Sequence, residues 1–182
     1  NSMRAAFIRE PGGPEVFEIE EREDPRPGPE EALVAVHATA LNRADLMQRR
    51  GGYAAPPGVS GDIPGLEMAG EVEAVGERVT GWKPGDRVMA LLGGGGYGSR
   101  VTVHERMLMS IPAGLDFEQA ASIPEVFLTA FDAMVLQCGL QSGESILIHA
   151  VGSGVGTAAV QIASASSCYT IGTAGSSEKL LR

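Results

Sequence analysis

The alternation of apolar and polar positions divides the chain into two parts of different character. Before Pro112, short runs rich in valine, alanine and leucine are separated by glycine, proline and aspartate, which is typical of strands in a barrel or sandwich. Strands are predicted over residues 4–9, 16–21, 32–41, 67–76, 86–92 and 97–103. A turn is predicted at Pro84 and Gly85, because proline presets φ and glycine tolerates a positive φ.

After Pro112 the apolar residues recur at helical spacing. They predict one helix around Phe117 and a second that begins at Pro124 and continues to Val135. From Ser145 the pattern is strand, glycine turn, helix, strand and the opening of a further helix over residues 176–182, which is a βαβ unit. We therefore expect a β-barrel-like domain over residues 3–122 and the start of a parallel α/β domain over residues 123–182.

The turn in the stretch SILIHAVGSGVG, residues 145–156, is the strongest functional signal. Glycines let a backbone approach a pyrophosphate, and the N-terminus of the following helix offers N–H groups to it. The spacing is GxGxG rather than GxGxxG, but the turn follows a predicted strand and opens a predicted helix. Candidate cofactor-binding residues are Gly152, Ser153, Gly154, Val155 and Gly156, and a merely structural corner is the alternative.

The end of the second strand favours NADPH over NADH. A cofactor without the 2′-phosphate usually meets a carboxylate about 20 residues beyond the turn, and none is present there. The sequence is instead GTAGSSEK, in which Gly175, Ser176 and Lys179 offer small residues, a hydroxyl and a cation to a phosphate. Glu178 fits a solvated acid in the first turn of a helix. For Lys179 an ordinary surface position is the alternative.

Composition and charge narrow the functional classes. The 182 residues are 43% hydrophobic and 20% charged, with a net charge of −9 at pH 7. Because lysine and arginine are scattered, a nucleic-acid partner is not expected. No run approaches the ~18 apolar residues of a membrane span, and no signal peptide pattern opens the chain. The expected location is therefore cytoplasmic.

The sequence also lacks the usual patterns of metal ligands. Cys138 and Cys168 are far apart, without CxxC or histidine spacing, which is unlike a disulfide framework or a zinc site. His37, His104 and His149 show no pairing at ligand spacing. We expect buried thiols, hydrogen-bonded structural histidines and no metal.

Motifs spread over almost the whole chain add a family resemblance. They are LNRADLMQRRGGY (41–53), GLEMAGEVEAVG (65–76), GDRVMALL (85–92), AASIPEVFLTAF (120–131) and HAVGSGVGTAAVQIA (149–163). With them the chain resembles the zinc-free quinone oxidoreductases of the medium-chain dehydrogenase/reductase superfamily, and most closely the p53-inducible quinone oxidoreductase group. The resemblance implies a GroES-like β-barrel catalytic domain, followed by the first βαβ part of a Rossmann α/β domain, with NADPH between them.

The resemblance also implies roles for particular residues. Zinc-dependent relatives have cysteine at the position of Asn42 and histidine at that of Leu66, so it implies hydride transfer without a metal to a quinone or an α,β-unsaturated carbonyl. Asn42 and Asp45 would line the nicotinamide side as catalytic residues, and Thr129 would contact the nicotinamide region. Tyr53 would hydrogen-bond the substrate oxygen or relay a proton. A helix cap for Asn42 and loop packing for Tyr53 are the alternatives.

Three further positions are interpreted through the same resemblance. The family's AxxGxxG turn puts Ser153 at the middle glycine, so its hydroxyl is expected beside the cofactor phosphates or the nicotinamide. Glu67, which lies near the metal in zinc-dependent relatives, is expected to be a structural acid bonded to backbone. The segment GGGGYGS, residues 93–99, fits either a mobile lip or a hairpin between two barrel strands.

Full members of this family continue well beyond the second Rossmann strand, so we expect a truncated form, with a homodimer only in a full-length form. Two other functions stay open at this point. One is a shortened, non-catalytic homologue that acts as a binding protein. The other is an enoyl-thioester reductase of the same superfamily.

Overall fold

The computed structural model describes residues 2–59 and 61–180 and divides the chain into two compact units. The first unit is Asn1–Pro124 and the second is Glu125–Arg182. The last two residues of the helix predicted over 176–182 lie outside the described residues. In the described part of the chain, no helix is long and apolar enough to cross a membrane.

The first unit is built from antiparallel strands. They are β1 (Ser2–Ile8), β2 (Phe17–Glu23), β3 (Glu31–Ala38), β4 (Glu67–Val75), β5 (Arg87–Leu91), β6 (Arg100–His104) and β7 (Leu108–Ser110). β1 pairs with β2, and the other five strands form one sheet in the order β6-β3-β4-β5-β7. Each strand predicted from the sequence is present. β7 was not predicted, because three residues are too few to display an alternating pattern.

One face of the five-stranded sheet carries the hydrophobic core of the first unit. Successive side chains of a strand point to opposite faces, so buried residues alternate with more exposed ones, as in the second half of β4. The core combines side chains from five strands: Ala32, Val34, Met68, Val72, Val88, Ala90, Val103 and Leu108. Two short helices complete the unit, α1 (Arg43–Arg49) between β3 and β4 and α2 (Phe117–Ala121) after β7.

The glycine-rich segment before β6 does not form a hairpin. β5 and β6 lie on opposite sides of the β3–β4 pair in the sheet, so the hairpin alternative is wrong. The segment instead bonds to the chain just before β4. The N–H groups of Gly95, Gly96 and Tyr97 donate to the carbonyls of residues 63, 65 and 64 at 2.8, 3.0 and 2.9 Å. This pairing holds the segment against the start of β4.

The second unit has the predicted βαβ arrangement. α3 (Pro124–Phe131) begins at the expected proline and continues into a π-helical turn, Asp132–Gln137. β8 (Ser145–Ile148) and β9 (Tyr169–Gly172) then pair in parallel, and α4 (Gly154–Ala165) connects them. The short helix α5 (Ser177–Leu180) follows β9. The core lies between α3 and its π-helical turn, α4 and β8 and includes Ala130, Met134, Ile148, Ala158, Ala159 and Ala163.

The expectation of buried thiols is wrong. Cys138 is exposed. It follows the end of the π-helical turn, where residues 136–139 are all exposed. Cys168 is partly buried, and its Sγ lies 3.4 Å from the carbonyl oxygen of Gln141. Two of the histidines are hydrogen-bonded as expected, His104 to Glu30 and His149 to Thr173.

Truncation of Met68 tests the sheet core. Its side chain is fully buried, so Met68→Ala removes contacts and leaves a cavity, and we expect the free energy of unfolding to fall by roughly 2–5 kcal/mol. Met107→Ala is the matched control, because Met107 is 47% exposed and the same truncation there should change the free energy by less than about 0.5 kcal/mol. Urea titration followed by the fluorescence of Trp82, the single tryptophan, which packs against this core, makes the measurement. Equal losses in the two variants would contradict the assignment.

Candidate functional site

A sharp backbone turn joins β8 to α4. Ala150 adopts a left-handed conformation with φ of 53°, and the N–H of Val151 donates to the carbonyl of Thr173 at 3.0 Å. The helix then passes very close to the turn. A Cβ built on Gly156 would overlap the carbonyl oxygen of Ala150 and would lie 2.6 Å from that of Val151. Glycine at position 156 is therefore a packing requirement, because no side chain fits between helix and turn.

The N-terminus of α4 is capped by Ser153. The hydroxyl oxygen of Ser153 accepts the N–H of Gly156 at 3.0 Å, and its carbonyl accepts the N–H of Thr157 at 2.8 Å. The first helical residues, Gly154 and Val155, have no carbonyl one turn earlier to bond within the helix, so their N–H groups face outward from the helix end. The Ser153 hydroxyl thus caps the helix through its oxygen and retains its proton for another acceptor.

Lys179 lies beside this turn. The three atoms nearest to a Cβ built on Gly152 all belong to Lys179, with the lysine Cβ 3.6 Å away. Gly152, Gly172 and Lys179 line one side of a cavity of about 790 Å³ in the second unit. Gly175 lies on the short connection from β9 to α5, where a built Cβ would have no neighbour within 4 Å. The backbone carbonyl of Ser176 accepts the N–H of Lys179 at 3.2 Å. Gly152 and Lys179 thus line one cavity, and the helix N–H groups of Gly154 and Val155 follow directly after this glycine turn. Helix-end amides and a lysine are donors that fit the phosphates of a dinucleotide.

Thr129 lies on α3 and is exposed. It follows Val126 by three residues, so the two side chains share a helix face. The Cγ1 of Val126 would lie 3.2 Å from a Cβ built on Gly154. Val126 therefore lies close to the start of α4, and Thr129 is exposed one turn further along α3.

In the first unit, Asn42 lies at the N-cap of α1, so the helix-cap alternative describes its backbone correctly. Its side chain bonds outside the helix, because Nδ2 donates to Glu67 Oε1 at 2.7 Å. The Glu67 residue is only 1% exposed, and its backbone carbonyl accepts the Thr39 hydroxyl at 2.7 Å. We expected the Glu67 carboxylate to bond to the backbone. At Oε1 its partner is instead the side-chain amide of Asn42.

Asp45 is brought next to Asn42, but its carboxylate is buried and only 3% of the residue is exposed. Its Oδ2 accepts the N–H of Asn42 at 2.7 Å and the hydroxyl of Tyr97 at 3.0 Å. Burial first, and then the neighbouring Asp45 carboxylate, raise the pKa of the Tyr97 hydroxyl well above its ordinary value. Tyr97 is the residue that the sequence interpretation missed. The feature of the sequence that could have indicated it is a single tyrosine within the glycine-rich segment, residues 93–99.

Tyr53 is placed apart from this group. It lies in the loop between α1 and β4, four residues beyond the last residue of α1, and is 39% exposed. Asn42 and Asp45 lie at the other end of the helix, which at 1.5 Å per residue is about 10 Å long. The structure therefore joins Asn42 and Asp45 in one cluster and leaves Tyr53 on an accessible loop.

Metal ligands do not cluster in the described residues. No group of three or more His, Cys, Asp or Glu side chains there could hold an ion. Leu66, at the position where zinc-dependent relatives would have a histidine, is 5% exposed and apolar.

The chain is similar to known proteins both in sequence and in fold. Residues 28–113 match the family of the alcohol dehydrogenase GroES-like domain, and this segment is a domain of that family. The chain is 38% identical over 178 residues to a quinone oxidoreductase of Lama guanicoe, covering 97% of this chain and 54% of that protein. It is 44% identical over 169 residues to a quinone oxidoreductase of Pseudomonas aeruginosa, covering 92% and 51%.

Solved structures agree with these relatives. A quinone oxidoreductase of Pseudomonas syringae has a TM-score of 0.85 and 37% identity, covering 97% of this chain and 54% of that one. The CurK enoyl reductase has a TM-score of 0.90 and 31% identity, covering 100% and 56%. The resemblance to quinone oxidoreductases of the medium-chain dehydrogenase/reductase superfamily is confirmed, as is a GroES-like domain followed by the first βαβ part of a Rossmann domain. The chain spans about half the length of the relatives that it matches.

Two glycine-to-alanine variants test the geometry of the turn. Gly156→Ala places a methyl group against two carbonyl oxygens, so we expect α4 to lose its packing and its amides to exchange with solvent much faster. Gly152→Ala is the matched control, because the atom nearest to its methyl group, the Cβ of Lys179, would lie at an ordinary contact distance of 3.6 Å. Hydrogen exchange of the α4 amides, with circular dichroism of the same samples, makes the comparison. Equal protection of α4 in both variants would contradict the close approach.

Proposed function

We propose that the chain carries the catalytic domain and the first cofactor-binding part of an NADPH-dependent reductase, which transfers hydride without zinc to a quinone or an α,β-unsaturated carbonyl. The observation that carries the proposal is the turn at residues 150–156, with open helix amides and Lys179 beside Gly152. The names of the similar proteins support it, since both curated relatives are quinone oxidoreductases. A cytoplasmic location and resemblance to the p53-inducible group remain predictions.

The second unit would hold the phosphates of the cofactor. Gly154 and Val155 would donate their N–H groups to the pyrophosphate, and the positive end of the α4 dipole would favour its charge. Ser153 would add its hydroxyl proton while its oxygen keeps the cap on Gly156. Gly152, which has no side chain, would let the backbone approach the phosphates, with Lys179 beside it.

The 2′-phosphate would be recognised at the end of β9. Lys179 supplies a cation at one side of the cavity, and Ser176 supplies a hydroxyl at the start of α5. Gly175 leaves space beside them, because no atom lies within 4 Å of a Cβ built there. A cofactor without the 2′-phosphate would lose this contact to Lys179 and Ser176, so NADPH is the favoured ligand.

The nicotinamide of NADPH supplies hydride when the cofactor is bound. Asn42, Asp45 and Thr129 are proposed for its environment. Asp45 is buried, so it would act through the position of Asn42. Tyr53, exposed on its loop, would donate its hydroxyl proton to the substrate oxygen as that oxygen gains charge. A quinone or enone delocalises the charge itself, which removes the need for a Lewis acid.

A second candidate function is reduction of an enoyl thioester. The likeness to the CurK enoyl reductase, which extends over the whole chain, favours it. Quinone and enoyl-thioester turnover by the same preparation distinguish the two substrates. A non-catalytic homologue that acts as a binding protein is the third candidate, and it predicts no NADPH binding. A homodimer is proposed only for a longer form.

Removal of the Lys179 charge tests the cofactor assignment. We expect Lys179→Gln to raise the dissociation constant of NADPH by about tenfold, because a charge-assisted hydrogen bond to phosphate is lost. The dissociation constant of NADH should stay within about twofold, since NADH has no 2′-phosphate. Titration followed by cofactor fluorescence gives both constants.

Lys83, the other lysine of the chain, provides the control. It is exposed in the first unit and pairs with Asp86 at 3.0 Å, so Lys83→Gln changes the net charge equally without touching the cavity. If both variants raised the dissociation constant of NADPH equally, the effect would be explained by long-range charge and not by contact with Lys179. Equal weakening of NADPH and NADH by Lys179→Gln would contradict a 2′-phosphate contact.

Tyr53→Phe tests the proposed proton donor. We expect kcat for quinone reduction to fall about a hundredfold, because the general acid is removed, while the dissociation constant of NADPH is unchanged. Tyr169→Phe is the control, since Tyr169 is 68% exposed on β9 and has no proposed role. Loss of NADPH absorbance in the presence of quinone measures turnover. An unchanged kcat in Tyr53→Phe would leave Tyr53 with a packing role.

A further inference from the structure

Tyr97 reaches from the glycine-rich segment into the cluster around α1. Its backbone is held on two sides, by its own N–H donating to Pro64 at 2.9 Å and by its carbonyl accepting the N–H of Ala6 at 3.1 Å. Its ring packs against Phe17, with ring centres 6.3 Å apart. The hydroxyl is therefore presented from a fixed position, and its proton is donated to Asp45.

The Asp45 carboxylate depends on this hydroxyl. Both of the hydrogen bonds that Asp45 accepts end on Oδ2, from Asn42 and from Tyr97. Within residues 2–59 and 61–180 no donor reaches its buried Oδ1. A buried carboxylate is costly unless it is hydrogen-bonded, so each of the two donors matters to where it sits.

The position of Asn42 follows from that of Asp45. The oxygen that Tyr97 holds also accepts the backbone N–H of Asn42, and the N–H of Asp45 donates back to the Asn42 carbonyl at 3.1 Å. The side chain of Asn42 is in turn directed by Glu67, since a carboxylate accepts only and the amide nitrogen must face it. One continuous chain of hydrogen bonds thus runs from Tyr97 through Asp45 to Asn42.

We propose that Tyr97 is a positioning residue of the active site, which acts through Asp45 to hold Asn42 in place for the nicotinamide and the substrate. The expected effect on catalysis rests on the proposed function. The coupling of Tyr97 to Asn42 rests on the hydrogen bonds alone. The Tyr97 hydroxyl donates its proton to the buried Asp45 carboxylate, whereas Tyr53, the proposed proton donor, lies on an accessible loop. Burial and the Asp45 carboxylate also raise the pKa of the Tyr97 hydroxyl, which makes it a weaker acid.

Tyr97→Phe removes the hydroxyl and keeps the ring. We expect kcat for quinone reduction by this chain to fall about tenfold, as Asn42 loses its fixed place, with the dissociation constant of NADPH within about twofold. The backbone N–H of Asn42 should exchange with solvent several-fold faster, because its acceptor is held by one donor fewer. Phe17→Leu is the matched control, since it loosens the ring packing and keeps the hydroxyl.

A double variant tests whether Tyr97 acts through Asp45. We expect the loss of kcat in Tyr97→Phe combined with Asp45→Asn to be smaller than the product of the two single losses, as for residues in one network. Multiplicative losses would overturn the proposal. So would an unchanged kcat in Tyr97→Phe, or equal effects of Tyr97→Phe and Phe17→Leu on both kcat and the exchange of Asn42.

Failure of the proposed function gives a different result. If the unmodified chain binds no NADPH and turns over no quinone, the proposed function is contradicted, and the exchange of the Asn42 N–H decides the structural coupling by itself. Faster exchange in Tyr97→Phe alone would then support the coupling to Asn42. Unchanged exchange would overturn it.

Discussion

A carboxylate buried in a sheet must be met by hydrogen-bond donors, and the carboxylate of Glu67 imposes this constraint on the first unit. Glu67 opens β4 and is almost completely buried. The side-chain amide of Asn42 donates to the Glu67 carboxylate, and the Thr39 hydroxyl donates to the backbone carbonyl of Glu67. The end of β3 and the start of α1 are thereby tied to β4. The orientation of the Asn42 amide is a consequence of this pairing.

The second unit meets a different constraint, which is steric. The helix α4 can begin beside β8 only because Gly156 has no side chain to collide with the carbonyls of the turn. The same turn carries Ser153, which caps α4, and Gly152, which lies beside Lys179. The N–H groups of Gly154 and Val155 belong to the backbone, so their position depends on the course of the chain more than on side-chain identity.

Much of the fold could be predicted because its elements carry local patterns. The strands show alternation, the turn at Gly85 has its positive φ, and Pro124 begins α3. β7 was missed because it has three residues. The hairpin reading of the segment before β6 failed because strand order depends on pairings distant in the sequence. Asn42 and the glycine turn were found from motifs, whereas Tyr97 matters only through a contact 52 residues away with Asp45.

The sequence by itself determined the order of strands and helices, the glycine turn that opens α4 and the lysine that follows β9, since period and turn chemistry act over a few neighbouring residues. Only the tertiary structure decided that Asp45 is buried, that Asn42 faces Glu67, and that the Tyr97 hydroxyl reaches Asp45. The physical reason is that burial and hydrogen-bond partners arise where distant segments pack, and desolvation then selects which polar groups must meet.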